Sequence, residues 1–230
     1  DDQVVRPWIE YHRSWEKREA DLLAELAGRR PGTFLDVGAH IGYHTVRLIR
    51  RVSVPRVVVV EPQPGLVELL RANVARAGTA TELTILQAAA WDRDGSVAIQ
   101  QFEEGNSGDV RVVADDAGQI RAVRLDGVPE VRDGEVTLVK VDLQGRDHRA
   151  LAGLRTVLLR DRPNVLCEFC PEAIEELGDD PLEVLEGYRA LGYLLCDLDG
   201  TTQAVAGELV TRARTAREGF VTVWLQPTPR

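Results

Sequence analysis

The most informative segment of the sequence is Thr33-Phe34-Leu35-Asp36-Val37-Gly38-Ala39-His40-Ile41-Gly42-Tyr43. It starts with apolar residues typical of a buried strand, passes through a Gly-x-x-x-Gly turn from Gly38 to Gly42, and continues into a helical pattern. Gly38 lets the backbone approach a ligand closely, and Gly42 lets the helix N-terminus pack against the strand. The order differs from the G-x-G-x-x-G of dinucleotide-binding enzymes, which argues against a dehydrogenase.

Two acidic residues accompany this turn. Asp36 ends the first strand, where a carboxylate can meet a cationic or amine-bearing ligand. Glu61 closes the next apolar run, Val57–Val60, and an acidic residue about 20 positions after a glycine-rich turn can accept both hydroxyls of a ribose. The alternative for Glu61 is a charge at the N-terminus of the helix that follows Pro62. Spacing and position favour ribose binding.

Apolar runs alternate with helical patterns along most of the chain, which is typical of βαβ units and a parallel sheet. The predicted strands are Thr33–Val37, Arg56–Glu61, Leu83–Gln87, Thr137–Leu143, Asn164–Phe169, Tyr193–Leu198 and Phe220–Leu225. The predicted helices are Trp15–Ala27, Gly42–Arg51, Pro64–Ala77, Asp147–Arg160 and Pro181–Leu191.

The pattern loosens between Asp92 and Val136 into short strands, Ser96–Phe102 and Ala122–Leu125, and loops. This section predicts an insertion into the sheet and not a separate domain, because no linker or composition shift borders it. We therefore predict one domain over residues 1–230, with a helical lead-in at 1–30 and the catalytic core at 31–230.

Composition narrows the class of protein. The chain has 230 residues, 44% of them hydrophobic and 28% charged, which suits a globular domain with a full core. Its net charge of −9 argues against broad binding to a phosphate backbone, so we expect no nucleic-acid partner. No apolar run approaches the length of a membrane span, and the first residues carry no signal pattern. We expect a cytoplasmic protein without a membrane partner and leave the oligomeric state open, a homodimer among the options.

The three cysteines, Cys167, Cys170 and Cys196, are an odd number, as expected in a reducing compartment. Cys167 and Cys170 have C-x-x-C spacing, but residues three apart on a strand point to opposite faces. Only one further cysteine exists to complete a thiolate site. We therefore predict buried apolar cysteines and no metal site.

Several segments, read together, resemble class I S-adenosylmethionine-dependent methyltransferases and, more narrowly, the FkbM family of methyltransferases. They are Asp36–Tyr43, Val60-Glu61-Pro62, Gln87–Gly95, Asn106-Ser107-Gly108, Lys140–Gly145 and Cys167-Glu168-Phe169. The resemblance extends from about Glu16 to the C-terminus. The chain departs from the family pattern at His40, where Asn is usual, and at Gln144, where Glu is usual.

The resemblance implies a Rossmann-like α/β fold with a mostly parallel seven-stranded sheet, helices on both faces and a small β/loop insertion. It also implies that S-adenosyl-L-methionine binds at the carboxyl ends of the first and fourth strands, where the strand order reverses. Asp36, Gly38, Ala39, His40 and Gly42 would hold the methionine end. Glu61 and Pro62 would hold the ribose, and Ala89, Ala90 and Trp91 would flank the adenine, with a simple core role as an equal alternative for Trp91. Asp142 would lie beside the methyl group.

Methyl transfer needs a nucleophile aligned with the methyl group and a place for its proton. Asp142 is the first candidate to orient or deprotonate the acceptor, Glu168 the second and His148 the third, with His44 a weaker choice. Parallel neighbours lie about 4.8 Å apart, so Asp142 and Glu168 are expected to share a site. Lys140, inside the fourth strand, is expected to pair with a carboxylate. Asp142, Glu168 and Asp147 form an alternative cluster for a divalent cation.

The sequence leaves the role of the lead-in residues Trp15-Glu16 open between a lid over the cofactor and simple packing. The leading hypothesis for function is O-methylation of a hydroxyl on a small-molecule sugar or secondary metabolite, as the resemblance implies. The alternatives are methylation of a nitrogen or a carboxylate, and a non-catalytic scaffold that binds S-adenosylmethionine.

Overall fold

The computed structural model describes residues 5–12, 14–78, 80–101, 110–115, 117–200 and 204–229. The helices are α1 Val5–His12, α2 Lys17–Arg29, α3 Tyr43–Ile49, α4 Pro64–Ala77, α5 Pro129–Arg132, α6 Asp147–Ala152, α7 Arg155–Arg160, α8 Pro171–Glu175, α9 Pro181–Ala190 and α10 Ala206–Thr215. The strands are β1 Thr33–Val37, β2 Arg56–Val60, β3 Glu82–Leu86, β4 Ala89–Ala90, β5 Gly95–Gln101, β6 Val110–Ala114, β7 Ile120–Val123, β8 Val136–Val141, β9 Asn164–Phe169, β10 Tyr193–Cys196 and β11 Val221–Pro227. Asn106-Ser107-Gly108 lies outside the described residues.

The main sheet has seven strands in the order β10-β11-β9-β8-β1-β2-β3. All neighbouring strands from β9 to β3 pair in parallel, and β11 runs antiparallel to both β9 and β10. The predicted Rossmann-like sheet is therefore confirmed. The chain leaves β1 toward β2 on one side and returns to β8 on the other, so a crevice forms between the carboxyl ends of β1 and β8.

Alternation along the central strands explains why the sheet is covered on both faces. In β1, Phe34 belongs to one apolar core, while Leu35 and Val37 belong to the other. Strand β2 divides in the same way, with Val57 and Val59 on one face. Successive side chains of a strand point to opposite faces, and a parallel sheet of this kind is stable only when helices bury both of them.

The insertion forms a second sheet of four strands in the order β4-β7-β5-β6 and does not add strands to the main sheet. It has a small core of its own, to which Trp91, Val97 and Val112 contribute. Strands β4 and β6 were not predicted, because the two residues of β4 are too few for a pattern and β6 lies within the loosened section. Whether the chain is one domain stays a prediction.

The predicted helix Asp147–Arg160 is two helices, α6 and α7, separated at Gly153 and Leu154. A Cβ at Gly153 would lie 2.1 Å from the carbonyl oxygen of Trp91, so the insertion packs directly on this backbone. The Gly153 carbonyl also accepts from the Asp126 amide at 2.9 Å, which ends the first helix. Helices α1, α5, α8 and α10 were not predicted. No helix within the described ranges has the length and apolarity needed to cross a bilayer.

Substitution of Gly38 tests the close contact between the turn after β1 and the end of β8. Its φ is +81°, and a Cβ there would lie 1.9 Å from the carbonyl oxygen of Asp142. Gly38→Ala adds left-handed strain and a backbone clash, so we expect it to lower the free energy of unfolding by about 2–5 kcal/mol. Gly78, with φ +61° and open space around it, is the matched control, because Gly78→Ala adds the strain alone.

Urea unfolding of the two variants measures the difference. Equal losses for Gly38→Ala and Gly78→Ala would contradict the close contact between the turn after β1 and the end of β8.

Candidate functional site

The turn after β1 is built from backbone contacts to the neighbouring strand. The amides of Gly38 and Ala39 both donate to the Val60 carbonyl, at 2.9 and 3.2 Å. Gly38, His40 and Gly42 all have positive φ, at 81°, 52° and 79°. His is among the few residues besides glycine that tolerate this conformation, as is the Asn usual in the family, so the departure at His40 preserves the turn.

Glu61 lies against this turn, as the sequence predicts. One carboxylate oxygen, Oε2, accepts from the His40 amide at 3.0 Å, and Oε1 accepts from the Gln63 amide at 2.9 Å. Burial raises the pKa of Glu61, the two amides lower it, and the charges of Asp142 and Asp36 raise it. The resulting pKa of Glu61 is about 7. A carboxylate oxygen has two lone pairs, so each oxygen can accept one more hydrogen bond.

Asp36 is buried in β1 and lies opposite Lys140 in the register of β1 and β8. Its Oδ2 accepts from the hydroxyl of Thr45 at 2.6 Å. Thr45 lies on α3, so this hydrogen bond fixes the helix that follows the glycine turn. Sequence analysis did not identify Thr45 as a site residue.

Lys140 is the centre of a buried polar cluster. Its Nζ lies 2.9 Å from Oδ2 of Asp142 and 3.9 Å from Oε2 of Glu16, which confirms the expected pairing with a carboxylate. Burial opposes the Lys140 charge, but the carboxylates of Asp142, Glu16 and Asp36 outweigh burial and raise the pKa of Lys140 above its ordinary value. The second oxygen of Asp142 accepts from Nε2 of Gln144 at 3.1 Å. Both oxygens of Asp142 are thereby fixed in position.

Glu168 meets Asp142 as predicted, and Glu16 joins them. Carboxylate oxygens of Glu16, Asp142 and Glu168 lie within 4.8 Å of one another. Burial and the charges of Asp142 and Asp147 raise the pKa of Glu168 well above its ordinary value. The Lys140 ammonium already pairs with Asp142 and lies near Glu16, so we do not assign a metal ion to the group.

Glu16 is the residue that sequence analysis left undecided. It has a left-handed φ of 40°, and its Oε2 lies 2.8 Å from Nε2 of His44, which places it at the cluster. Burial would raise the pKa of Glu16, but Lys140 and His44 lower it to about 2. The Trp15 amide donates to the Tyr43 hydroxyl at 2.9 Å, which ties the lead-in to α3. The sequence signal was only an aromatic-acidic pair before the first strand.

Asp147 does not occupy the place assigned to it in the cation cluster. Its Oδ2 accepts from the Leu143 amide at 3.2 Å and its Oδ1 from the Glu168 amide at 2.9 Å, so it joins the ends of β8 and β9. Burial and the charge of Asp142 raise its pKa to about 7. Glu16 takes its place as the third carboxylate beside Asp142 and Glu168.

His148 lies in a separate group of charges. Its Nε2 is 3.0 Å from Oδ2 of Asp179, which also pairs with Arg149 at 2.6 Å. Burial lowers the pKa of His148 despite Asp179. This arrangement joins α6 to the segment before α9, and a catalytic role for His148 stays a prediction.

Ala89, Ala90 and Trp91 are all buried, with at most 3% of each exposed. Trp91 packs in the core of the second sheet, and its amide donates to the Val123 carbonyl at 3.0 Å. Its indole Nε1 is buried and has no hydrogen-bond partner among the described residues. This burial agrees with the core alternative for Trp91, and contact of the three residues with adenine stays a prediction.

The raised pKa of Glu61 predicts how the stability of the protein depends on pH. Its pKa in the folded state is about 7, above the ordinary 4.5, so the native state binds a proton more tightly than the unfolded state does. Stability from this group is present below about pH 4.5 and is lost as the pH rises through about 7, by about 3 kcal/mol at most. Glu61→Gln removes the titration, so we expect a shallower loss of stability between pH 5 and 7.5.

Urea unfolding at pH 5 and at pH 7.5 measures this change in the free energy of unfolding. The control is Glu82→Gln, since Glu82 is exposed at the start of β3. Identical pH dependence in wild type and Glu61→Gln would show that Glu61 does not carry the raised pKa.

Comparison with known proteins places this geometry in a family. A family model described as the methyltransferase FkbM domain matches residues 36–195. The structure is similar to methyltransferase FkbM from Methylobacillus flagellatus KT, with TM-score 0.54 and 16% identity, over 85% of this chain and 43% of that one. The chain thus spans less than half of that protein. No sequence relative was found among proteins of curated function.

Two further structures are similar at low identity. An rRNA methylase from Streptococcus thermophilus has TM-score 0.51 and 10% identity, over 91% of this chain and 95% of that one. An RNA methyltransferase from Salinibacter ruber, solved with S-adenosyl-L-homocysteine, has TM-score 0.41 and 19% identity, over 67% of this chain and 76% of that one. At 10% identity the likeness to the rRNA methylase shows the fold alone. Because the family model matches most of the sequence, from the end of β1 to β10, the chain belongs to the FkbM methyltransferase family.

Proposed function

We propose that the chain transfers a methyl group from S-adenosylmethionine to a hydroxyl of a small molecule, of the sugar or secondary-metabolite class. The observation that carries this proposal is the cluster of Glu16, Lys140, Asp142 and Glu168 at the carboxyl ends of β8 and β9. The cluster directly adjoins the glycine turn, because Gly38 packs on the carbonyl of Asp142.

The residues around the turn suit this cofactor. S-adenosylmethionine, the methyl donor of the family, supplies an electrophilic methyl group on a positively charged sulfur. Glu61 has a lone pair left on each oxygen for a ribose hydroxyl, and its place is fixed by the amides of His40 and Gln63. Gly38, Ala39, His40 and Gly42 would hold the methionine end, with Asp36 behind them.

The carboxyl groups of the cluster suit different tasks. Asp142 is held by Lys140 and Gln144, so it can present one fixed oxygen to the acceptor hydroxyl and take its proton. Burial raises the pKa of Glu168 well above its ordinary value, so in its protonated form it can donate a hydrogen bond to the acceptor. Glu16 stays ionised and can accept one. When the cofactor supplies its methyl group to the acceptor oxygen, Asp142 would take the hydroxyl proton.

Asp142→Asn tests the chemistry. Asn is nearly isosteric and keeps one oxygen that can accept from Lys140 or Gln144, but it cannot take the proton. We expect turnover to fall by about 10²–10⁴, with affinity for S-adenosylhomocysteine nearly unchanged. Glu168→Gln keeps a hydrogen-bond donor at the same place and is expected to cost less. Single-turnover transfer from radiolabelled S-adenosylmethionine measures both.

The acceptors for this assay are a panel of hydroxylated sugars and metabolites, with total RNA as the alternative acceptor. We expect labelled small molecules, because the chain carries a net charge of −9. Transfer to RNA alone would contradict the proposed substrate class. Labelling of a nitrogen or a carboxylate would contradict methylation of a hydroxyl. Cofactor binding without any transfer would indicate a scaffold.

Glu16→Gln tests whether the lead-in takes part in the reaction. The change removes the charge that faces Lys140 and His44, so we expect kcat/KM for the acceptor to fall about tenfold or more while S-adenosylhomocysteine affinity is retained. Glu25→Gln, on the exposed surface of α2, is the matched control. Unchanged kcat/KM in Glu16→Gln would leave Glu16 as a packing residue only.

A further inference from the structure

A second cleft, of about 600 Å³, lies between α1, α3 and α4. Arginines from two of these helices line it: Arg47 on α3, Arg50 and Arg51 just after it, and Arg76 on α4. Gly42 is the one residue that this cleft shares with the candidate cofactor site. Its volume is in the range of pockets that hold small organic ligands.

The cleft has an excess of positive charge in a chain whose net charge is −9. Among the described residues, Asp21 is the carboxylate that forms ion pairs with these arginines, at 2.5 Å from Arg51 and 4.0 Å from Arg47. Arg50 and Arg76 form no ion pair with any described residue. One carboxylate therefore pairs with two of the four guanidinium groups, and the other two have no carboxylate partner among the described residues.

Two of these arginines, Arg47 and Arg50, make further hydrogen bonds that do not neutralise them. Arg47 donates to the Tyr43 hydroxyl at 3.2 Å, and Arg50 donates to the Arg76 carbonyl at 3.5 Å. The Nε of Arg47 is buried and has no hydrogen-bond partner among the described residues. Partly fixed guanidinium groups on adjacent helices can bind phosphate oxygens in pairs, at less entropic cost than free side chains.

The wall of the cleft also has an apolar part, formed by Ile9, Ile41 and Val46 together with Tyr43. A simple inorganic anion would leave that part unused. We propose that this cleft binds an organic diphosphate, with the phosphates on the arginines and a ring or hydrocarbon portion on the apolar wall. The proposal goes beyond methyl transfer and does not depend on it.

Titration calorimetry of the full chain at low salt tests the proposal with three probes: uridine diphosphate, inorganic pyrophosphate and uridine. We expect uridine diphosphate to bind more tightly than pyrophosphate, and uridine not to bind. Arg47→Gln and Arg76→Gln should each weaken uridine diphosphate binding about tenfold or more, because each loses a charged hydrogen bond. Arg47→Lys keeps the charge and should lose less. Raising the salt should weaken binding.

The matched control is Arg189→Gln, since Arg189 is exposed on α9 and pairs with Glu186. It should leave the affinity unchanged, and circular dichroism confirms that the variants fold. No binding of uridine diphosphate by wild type at millimolar concentration would overturn the proposal, and so would equal weakening by the control. Competition by S-adenosylhomocysteine would place the probe in the cofactor cleft instead. A chain that binds S-adenosylhomocysteine but no diphosphate keeps the proposed function and loses this second site.

Discussion

The buried ammonium of Lys140 holds the candidate active site together. Asp142 and Glu16, with Asp36 nearby, bring negative charge to a region where water is largely excluded, and like charges at such distances repel strongly. A single cation between them makes the arrangement tolerable. It also joins two parts of the chain, because Lys140 and Asp142 lie at the end of β8 while Glu16 belongs to the lead-in. Removing one partner would leave an uncompensated buried charge, which is usually strongly destabilising.

Charge pairing of this kind gives different pKa values to carboxyl groups that lie close together. Glu16 has a pKa of about 2 because Lys140 and His44 face it, whereas burial raises the pKa of Glu168 well above its ordinary value. Neighbouring acids whose pKa values are moved in opposite directions can take different roles toward the same acceptor group. The contact between Gly38 and the Asp142 carbonyl then determines how near this group lies to the glycine turn. The arrangement is therefore suited to placing a hydroxyl beside a cofactor bound at Glu61.

The sequence predicted the parts of the fold that follow from local patterns. The bounds of β1, α4 and β9 were right to the residue, because apolar runs and turn residues mark both ends. The break at Gly153 was missed because it depends on contact with Trp91. Two strands of the insertion were predicted, but their pairing into a separate sheet was not, because partners such as β4 and β7 are distant in sequence. In the site, Asp142, Glu168 and Lys140 could be predicted from strand ends. Glu16 could not, because its place depends on a left-handed backbone and a partner, His44, that is distant in sequence.

A crystal structure of the chain with S-adenosylhomocysteine would show directly whether the cofactor lies between Glu61 and the Lys140 cluster. We expect the ribose hydroxyls at about 2.5–3.0 Å from the oxygens of Glu61, the methionine portion along Gly38–Gly42, and the sulfur facing Asp142. Glu16 and Lys140 should keep their contacts around the space beside the sulfur. A ligand whose ribose lies away from Glu61, or whose sulfur faces away from the Lys140 cluster, would contradict this assignment of the active site.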